Sequence, residues 1–235
     1  MSLFIAQIDK NKAFLSPEES HHMSRVLRMK VDDSVYITNG KGLLFKGKIE
    51  SLSGKMAVIG DLKELENTQK RNYQIQMIVA PTKQIDRIEF FLEKAVEIGL
   101  DDFFPIITFN SERRKINQER LEKIAVSAMK QSLKAELPKV HDLQSFEKFL
   151  KNNHKNTHQK FIAHCHSDIV QTEIKKIIKP EQSYQFLIGP EGDFSKAEVQ
   201  LATENGFTPI SLGNQRMRTE TAALSCVNFV HWLHL

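Results

Sequence analysis

From residue 73 onward, short apolar runs alternate with stretches of helical period, and this alternation constrains the fold more than any other feature of the chain. Residues 73–80, 103–108, 161–165, 184–188 and 208–212 read as strands. Ile85, Ile88, Phe91, Leu92, Ala95 and Ile98 recur at helical spacing and stop at Gly99. Further helices are predicted over residues 117–133, 169–178, 196–205 and 221–235. Strands that alternate with helices build an α/β domain with a mostly parallel sheet.

The first 70 residues have a different texture. Val35-Tyr-Ile-Thr38, Leu43-Leu-Phe-Lys-Gly47 and Lys55-Met-Ala-Val-Ile59 are separated by Asn39-Gly40, Lys41-Gly42 and Ser53-Gly54. Period-two runs joined by glycine turns indicate a small antiparallel sheet or barrel. Ser16-Pro17-Glu18-Glu19 reads as a capping box with proline at the first helical position, and residues 20–26 continue that helix. The polar stretch 62–72 is the expected linker, giving domains 1–70 and 71–235.

The chain of 235 residues carries 40% hydrophobic and 26% charged residues, ordinary for a globular protein with a full core. Its first ten residues lack the basic segment and long apolar run of a secretory signal, and two cysteines, Cys165 and Cys226, are too few for a disulfide framework. A cytoplasmic, membrane-free protein is expected. The net charge is only +4, but residues 111–139 hold eight Lys or Arg against four Glu. That cluster is either an electrostatic footprint for phosphate or a solvated helix face.

Ligands of open α/β sheets bind beyond the carboxyl ends of the strands. The loop after the first of these strands, Ala80-Pro-Thr-Lys-Gln-Ile-Asp86, has no glycine, which excludes the G-x-G-x-x-G dinucleotide fingerprint at its usual place. No Walker A sequence occurs. Glycines come late instead, in Gly189-Pro-Glu-Gly-Asp-Phe194 and in Gly213-Asn-Gln-Arg-Met-Arg218, each after a strand and before a helix. The helix after the first loop opens with a second capping box, Ser195-Lys-Ala-Glu198. Such loops suit a flat ligand read by backbone groups; the same spacing also fits two ordinary strand-to-helix turns.

Gly189-Pro-Glu-Gly-Asp-Phe and Leu212-Gly-Asn-Gln-Arg-Met-Arg-Thr-Glu-Thr-Ala222 together resemble the C-terminal signature of the SPOUT superfamily of RNA methyltransferases. More narrowly, the chain is similar to the 16S ribosomal RNA (uracil-1498-N3)-methyltransferase family. The similarity extends to Lys94-Ala-Val-Glu-Ile-Gly99, to Gln131-Ser132 with Leu137-Pro138, and to His21-His22-Met-Ser-Arg-Val-Leu-Arg28. Asn214-Gln-Arg-Met217 departs from the Pro-Arg-Ile-Leu that the family often carries, and Lys130 stands where many relatives have an acid.

The resemblance implies a PUA-like N-terminal barrel that binds RNA, and an α/β domain tied in a trefoil knot. It implies S-adenosylmethionine as cofactor, a homodimer, and 16S rRNA of the small subunit as partner. The implied cofactor residues are Pro81, Leu187, Ile188, Gly189, Pro190, Glu191, Gly192, Leu212, Gly213, Asn214, Gln215, Arg216, Met217 and Ala222. Methylation at N3 of a uracil requires loss of the N3 proton and stabilisation of charge on O2 and O4. Arg218 suits that charge, or a target phosphate. Glu220 orients it, accepts the proton, or is simply a solvated helix-start carboxylate.

His21, Arg25 and Arg28 share a face by helical spacing, and with His22 they form an RNA-binding candidate or a surface helix with one buried histidine. Arg113 and Arg114, after the second α/β strand, are further RNA candidates. His164-Cys165-His166 has metal-ligand residue types, but strand alternation sends Cys165 away from the two histidines and no nearby pair completes a set. Lys94 and Glu97 read as a structural ion pair. A non-catalytic RNA-binding or ribosome-assembly factor, or an enzyme acting on another RNA, would share most of these features.

Overall fold

The computed structural model describes residues 2–53, 56–66, 71–153, 159–180 and 183–235. The chain divides into two compact units, one of Met1–Lys70 with Val126–Leu137, the other of Arg71–Ala125 with Pro138–Leu235.

The first unit is a closed barrel of β1 (Leu3–Asp9), β2 (Lys12–Leu15), β3 (Ser34–Thr38), β4 (Leu44–Ser53) and β5 (Met56–Leu65), in the order β1-β2-β5-β4-β3. Its neighbours are antiparallel except β1 and β3, which close the barrel in parallel. Phe4, Met23, Ile37, Ile49 and Ile59 fill the interior with no exposure. β1 and β2 have no clean two-residue alternation and went unpredicted. The turn at Gly54 lies outside the described residues. The expected linker begins too early, because residues 62–65 are the end of β5, paired with β4.

Helix α1 (Pro17–His21) starts as predicted, with Ser16 Oγ accepting the Glu19 N–H. The reciprocal half of the capping box is absent. Glu19 instead takes Lys130 Nζ at 2.8 and 2.9 Å, in a pair whose two side chains are both largely buried. The helix does not continue with α period: His22–Val26 form a π turn, closed by the Leu27 N–H to His22 O bond. Arg28 follows in the left-handed region (φ 53). The shared face of His21, Arg25 and Arg28 therefore does not form as helical spacing would have it, although all three are exposed. His22 is half-buried, its ring 6.2 Å from that of Phe4.

The segment 126–137 belongs with the barrel for reasons in its own hydrogen bonds. Thr38 Oγ1 donates to Ala135 O at 2.8 Å, Gly42 N–H to the same carbonyl, and Leu137 N–H to Gly40 O.

The second unit is an eight-stranded sheet. Its strands are β6 (Ile75–Val79), β7 (Asp102–Ile107), β8 (Lys139–Val140), β9 (Gln144–Ser145), β10 (Gln159–Ala163), β11 (Thr172–Glu173), β12 (Tyr184–Ile188) and β13 (Thr208–Ser211). The order is β11-β13-β10-β12-β6-β7-β8, with β9 on β7, and every pairing is parallel. The helices are α2 (Ile85–Ile98), α3 (Gln118–Gln131), of which residues 126–131 are counted with the first unit, α4 (Phe146–Asn152), α5 (Lys196–Glu204) and α6 (Thr219–Leu233). β6 and β12 are buried along their whole length, as central parallel strands covered on both faces must be. Ile78, Ile106, Phe146, Ile162, Leu187 and Phe194 form one core on the sheet.

The predicted helix over 169–178 does not exist: β11 and a single 3-10 turn at Ile174–Lys176 occupy it. The short helix α4 went unpredicted; Ser145 caps it by accepting the Lys148 N–H. Lys94 pairs with Glu97 at 2.9 Å, as expected. After β13 the chain returns past β10, so that α6 packs against α2, β6 and β12.

Candidate active site

The sheet order brings the two glycine loops together. β10 sits between β12 and β13, so the loops after β12 and β13 flank the carboxyl end of β10. An open cleft of about 1330 Å³ lies there. Ile188 through Asp193 form one wall, Ile210 through Thr219 with Ala222 another, and the segment after β10 a third. Of the sequence candidates for cofactor binding, all but two reach this cleft. Leu187 is a core residue with no exposure, and Pro81 is likewise buried outside the wall.

Local physics shapes each loop. Glu198 is the centre of the first: its carboxylate accepts the Ser195 N–H at 2.8 Å and the Ser195 hydroxyl at 2.9 Å, completing the predicted capping box. It also accepts the Phe109 N–H at 2.8 Å, which ties in the loop after β7. Asn110 Nδ2 donates to Gly192 O at 2.8 Å and to Asp193 O at 3.0 Å. A Cβ on Gly192 would lie 3.0 Å from the Asn110 Cβ, so this close approach selects glycine. In the second loop Gly213 has φ +117, and a Cβ there would meet nothing within 4 Å, so conformation rather than space requires the glycine. Thr219 Oγ1 then donates to Gly189 O at 2.9 Å and fastens the start of α6 to the first loop.

β10 ends at Ala163, two residues sooner than predicted, which places His164-Cys165-His166 in a loop and removes the strand alternation expected of them. All three line the cleft. Cys165 N–H donates to Asp193 Oδ2 at 2.7 Å and His166 Nε2 to Phe194 O at 2.7 Å, joining this segment to the first glycine loop. Burial pushes the Cys165 thiol up, Asp193 adds to that, and Arg216 opposes it. Burial lowers the His164 imidazole; His166 acts the same way, and Asp193 and Asp168 oppose them. Among the described residues no group of three or more His, Cys, Asp or Glu is placed to hold a metal ion.

Arg218 is the N-cap residue of α6, exposed and in the cleft wall. Glu220, two residues on, is buried and absent from the wall. Its Oε1 is 4.0 Å from Arg87 Nε and its Oε2 has no partner among the described residues. Arg87, on the first turn of α2, does line the cleft. Sequence reasoning missed Arg87, His164 and Gln171 as cleft residues. His164 was marked only by its place just beyond a strand end, Arg87 lies on the first turn of α2, and the predicted helix over 169–178 concealed Gln171.

The basic cluster resolves into two groups. Arg113 is half-buried, and its Nε donates to Thr82 O at 3.0 Å and Lys83 O at 3.2 Å, so it braces the loop after β6. Arg120 is paired with Glu89 at 2.6 Å and Lys130 with Glu19. Arg114, Lys115, Lys123 and Lys139 are exposed and without an ion pair among the described residues.

The second unit is thus a parallel sheet with an arginine-bearing cleft between two glycine loops, and the first is a small closed barrel. A family model described as an RNA methyltransferase domain matches residues 69–231, and one described as an RNA methyltransferase PUA domain matches residues 15–61. The ribosomal RNA small subunit methyltransferase E of Buchnera aphidicola (strain APS) is 31% identical over 220 residues, 91% of this chain and 85% of that protein. A crystal structure of a probable rRNA methyltransferase from Porphyromonas gingivalis has TM-score 0.88 at 37% identity, covering 100% of this chain and 98% of the other. The ribosomal RNA small subunit methyltransferase E of Neisseria gonorrhoeae, bound to S-adenosyl methionine, has TM-score 0.85 at 25% identity over 100% of this chain and 98% of that one. The chain belongs to this RNA methyltransferase family, and within it to the group named ribosomal RNA small subunit methyltransferase E.

Proposed function

We propose that the protein transfers the methyl group of S-adenosylmethionine to N3 of a uridine in 16S rRNA of the small subunit, acting as a cytoplasmic homodimer. The observation that carries this reading is the cleft itself, with glycine loops on neighbouring strand ends and Arg218 at the mouth of α6. The residues present suit the cofactor. Residues 189–192 and 212–217 line the cleft, and a buried ring nitrogen of His164 has no partner among the described residues. Those two loops would hold S-adenosylmethionine, which when bound supplies an electrophilic sulfonium methyl group.

The chain's own residues supply orientation and charge. The Arg218 guanidinium is permanently cationic and presents a planar set of donors, suited to the charge that forms on O2 or O4 as N3 loses its proton. Arg87 adds a second guanidinium to the same wall. Glu220 is a positioning residue behind Arg87 rather than the proton acceptor, because it does not reach the cleft. The barrel's exposed His21, Arg25 and Arg28, together with His22, Arg114 and Lys115, are the RNA contacts in this reading. The return of the chain past β10 to seat α6 on β6 and β12 is compatible with the trefoil knot of the superfamily. Trp232, exposed on α6, and Phe90, exposed on α2, suit a dimer face.

The test uses small subunits from a strain that lacks the modification. With methyl-labelled S-adenosylmethionine the protein labels one uridine of 16S rRNA at N3, and Arg218→Ala, folded and dimeric, loses at least 100-fold in rate (on the order of 3 kcal/mol). Binding of subunits with no label incorporated would identify a non-catalytic assembly factor instead.

A further inference from the structure

His164 follows the last residue of β10, the strand enclosed by β12 and β13, and so stands between the two glycine loops. Its Nδ1 lies 3.0 Å from Gln171 Nε2 and 3.2 Å from the His166 backbone N–H. The same Gln171 amide also donates to the carbonyls of His164 and His166, which sets its NH₂ end toward the ring. Two donors directed at Nδ1 make it the acceptor and leave the ring proton on Nε2. Nε2 is buried and has no partner among the described residues, although His164 is 7% exposed and belongs to the cleft wall.

A buried N–H without an acceptor is destabilising, and where one persists in a binding cleft its acceptor is a ligand atom or an ordered water that a ligand displaces. The surroundings say which kind. Of the groups acting on this ring, Asp193 and Asp168 are acidic and disfavour a ligand carboxylate there, while His166 acts in the opposite sense. Burial holds the imidazole neutral, so the donor suits an uncharged oxygen or nitrogen.

We infer that His164 is a cofactor-binding residue whose Nε2–H donates to an uncharged acceptor in the nucleoside half of S-adenosylmethionine, a ring nitrogen of the adenine or an oxygen of the ribose. This rests on the methyltransferase reading above.

The experiment compares His164→Asn with wild type by calorimetry, using S-adenosylmethionine and 5′-methylthioadenosine, and records the melting temperature of the ligand-free protein. The Asn carboxamide oxygen keeps an acceptor near the Nδ1 position, whereas the distant donor is lost. The expected result is a loss of about tenfold in affinity for both ligands, with the melting temperature of the free protein unchanged. His164→Gln, which returns an N–H near the Nε2 position, recovers part of the affinity. Unchanged affinity of His164→Asn would overturn the inference. So would a loss confined to S-adenosylmethionine, since methylthioadenosine lacks the carboxylate, or a loss accompanied by a drop in the melting temperature of the free protein. If wild type binds neither ligand, the methyltransferase reading fails and this inference fails with it.

Discussion

Glu220 Oε1 lies 4.0 Å from Arg87 Nε, behind the wall of the cleft, with the glutamate side chain 11% exposed and the arginine 26%. The two residues are distant in sequence, and the pair connects the first turn of α2 to the first turn of α6. It separates Glu220 from Arg218, which the sequence sets side by side at the head of one helix.

Replacing Glu220 by Gln tests that separation. Removal of a general base costs about 10²- to 10⁴-fold and takes one limb of the pH–rate profile with it. A positioning residue behaves otherwise. We expect Glu220→Gln to lower kcat/KM by about tenfold or less, roughly 1 kcal/mol, with the shape of the pH–rate profile retained in single-turnover assays.

Glu198→Ala removes the acceptor of three hydrogen bonds, two at the head of α5 and one from Phe109 N–H. The capping loss and the stranded Phe109 amide together amount to about 2–3 kcal/mol. Thermal or denaturant unfolding should show that drop, and cofactor affinity should fall as well, because the same carboxylate holds the loop that carries Gly189–Gly192 wall contacts.

Arg113 and Arg114 are adjacent in sequence and differ in environment. Arg114→Ala removes an exposed charge and should reduce the slope of log K against log salt for RNA binding by about 0.7–0.9 if it meets one phosphate. Arg113→Ala should leave that slope unchanged and lower stability by about 1–2 kcal/mol, since two carbonyls of the loop after β6 lose their charged donor.

The His164 ring gives a pH dependence. Its pKa in the folded protein is lowered, chiefly by burial, from an ordinary value of 6.5. Below 6.5 the unfolded chain binds a proton that the folded protein refuses, so the stability linked to this residue is present above pH 6.5 and is lost as pH falls. Wild type should therefore lose more melting temperature than His164→Asn between pH 7.5 and pH 5.5, a comparison that cancels the contributions of the other titrating groups.

Much of this architecture is legible in local sequence. The strands that became β6, β7, β12 and β13 are short apolar runs, and α2 shows its buried Ile88, Phe91, Leu92 and Ala95 at helical spacing. Ser195 and Glu198 announce a cap that forms entirely from residues within three positions of one another. Such features depend on backbone geometry and nearest neighbours, which a sequence window contains.

What the sequence determined by itself is therefore the alternation of strand and helix, the two glycine loops and the arginines beside them, and through their resemblance a methyltransferase of ribosomal RNA. The tertiary structure alone decided that β10 inserts between β12 and β13, which puts His164 between the loops. It decided that residues 126–137 hydrogen-bond to the barrel, that Arg113 turns to backbone carbonyls, and that Glu220 faces Arg87 instead of the cleft. Parallel pairing and the burial of a charge are settled by partners tens of residues away, and no periodicity in the chain records which partner that is.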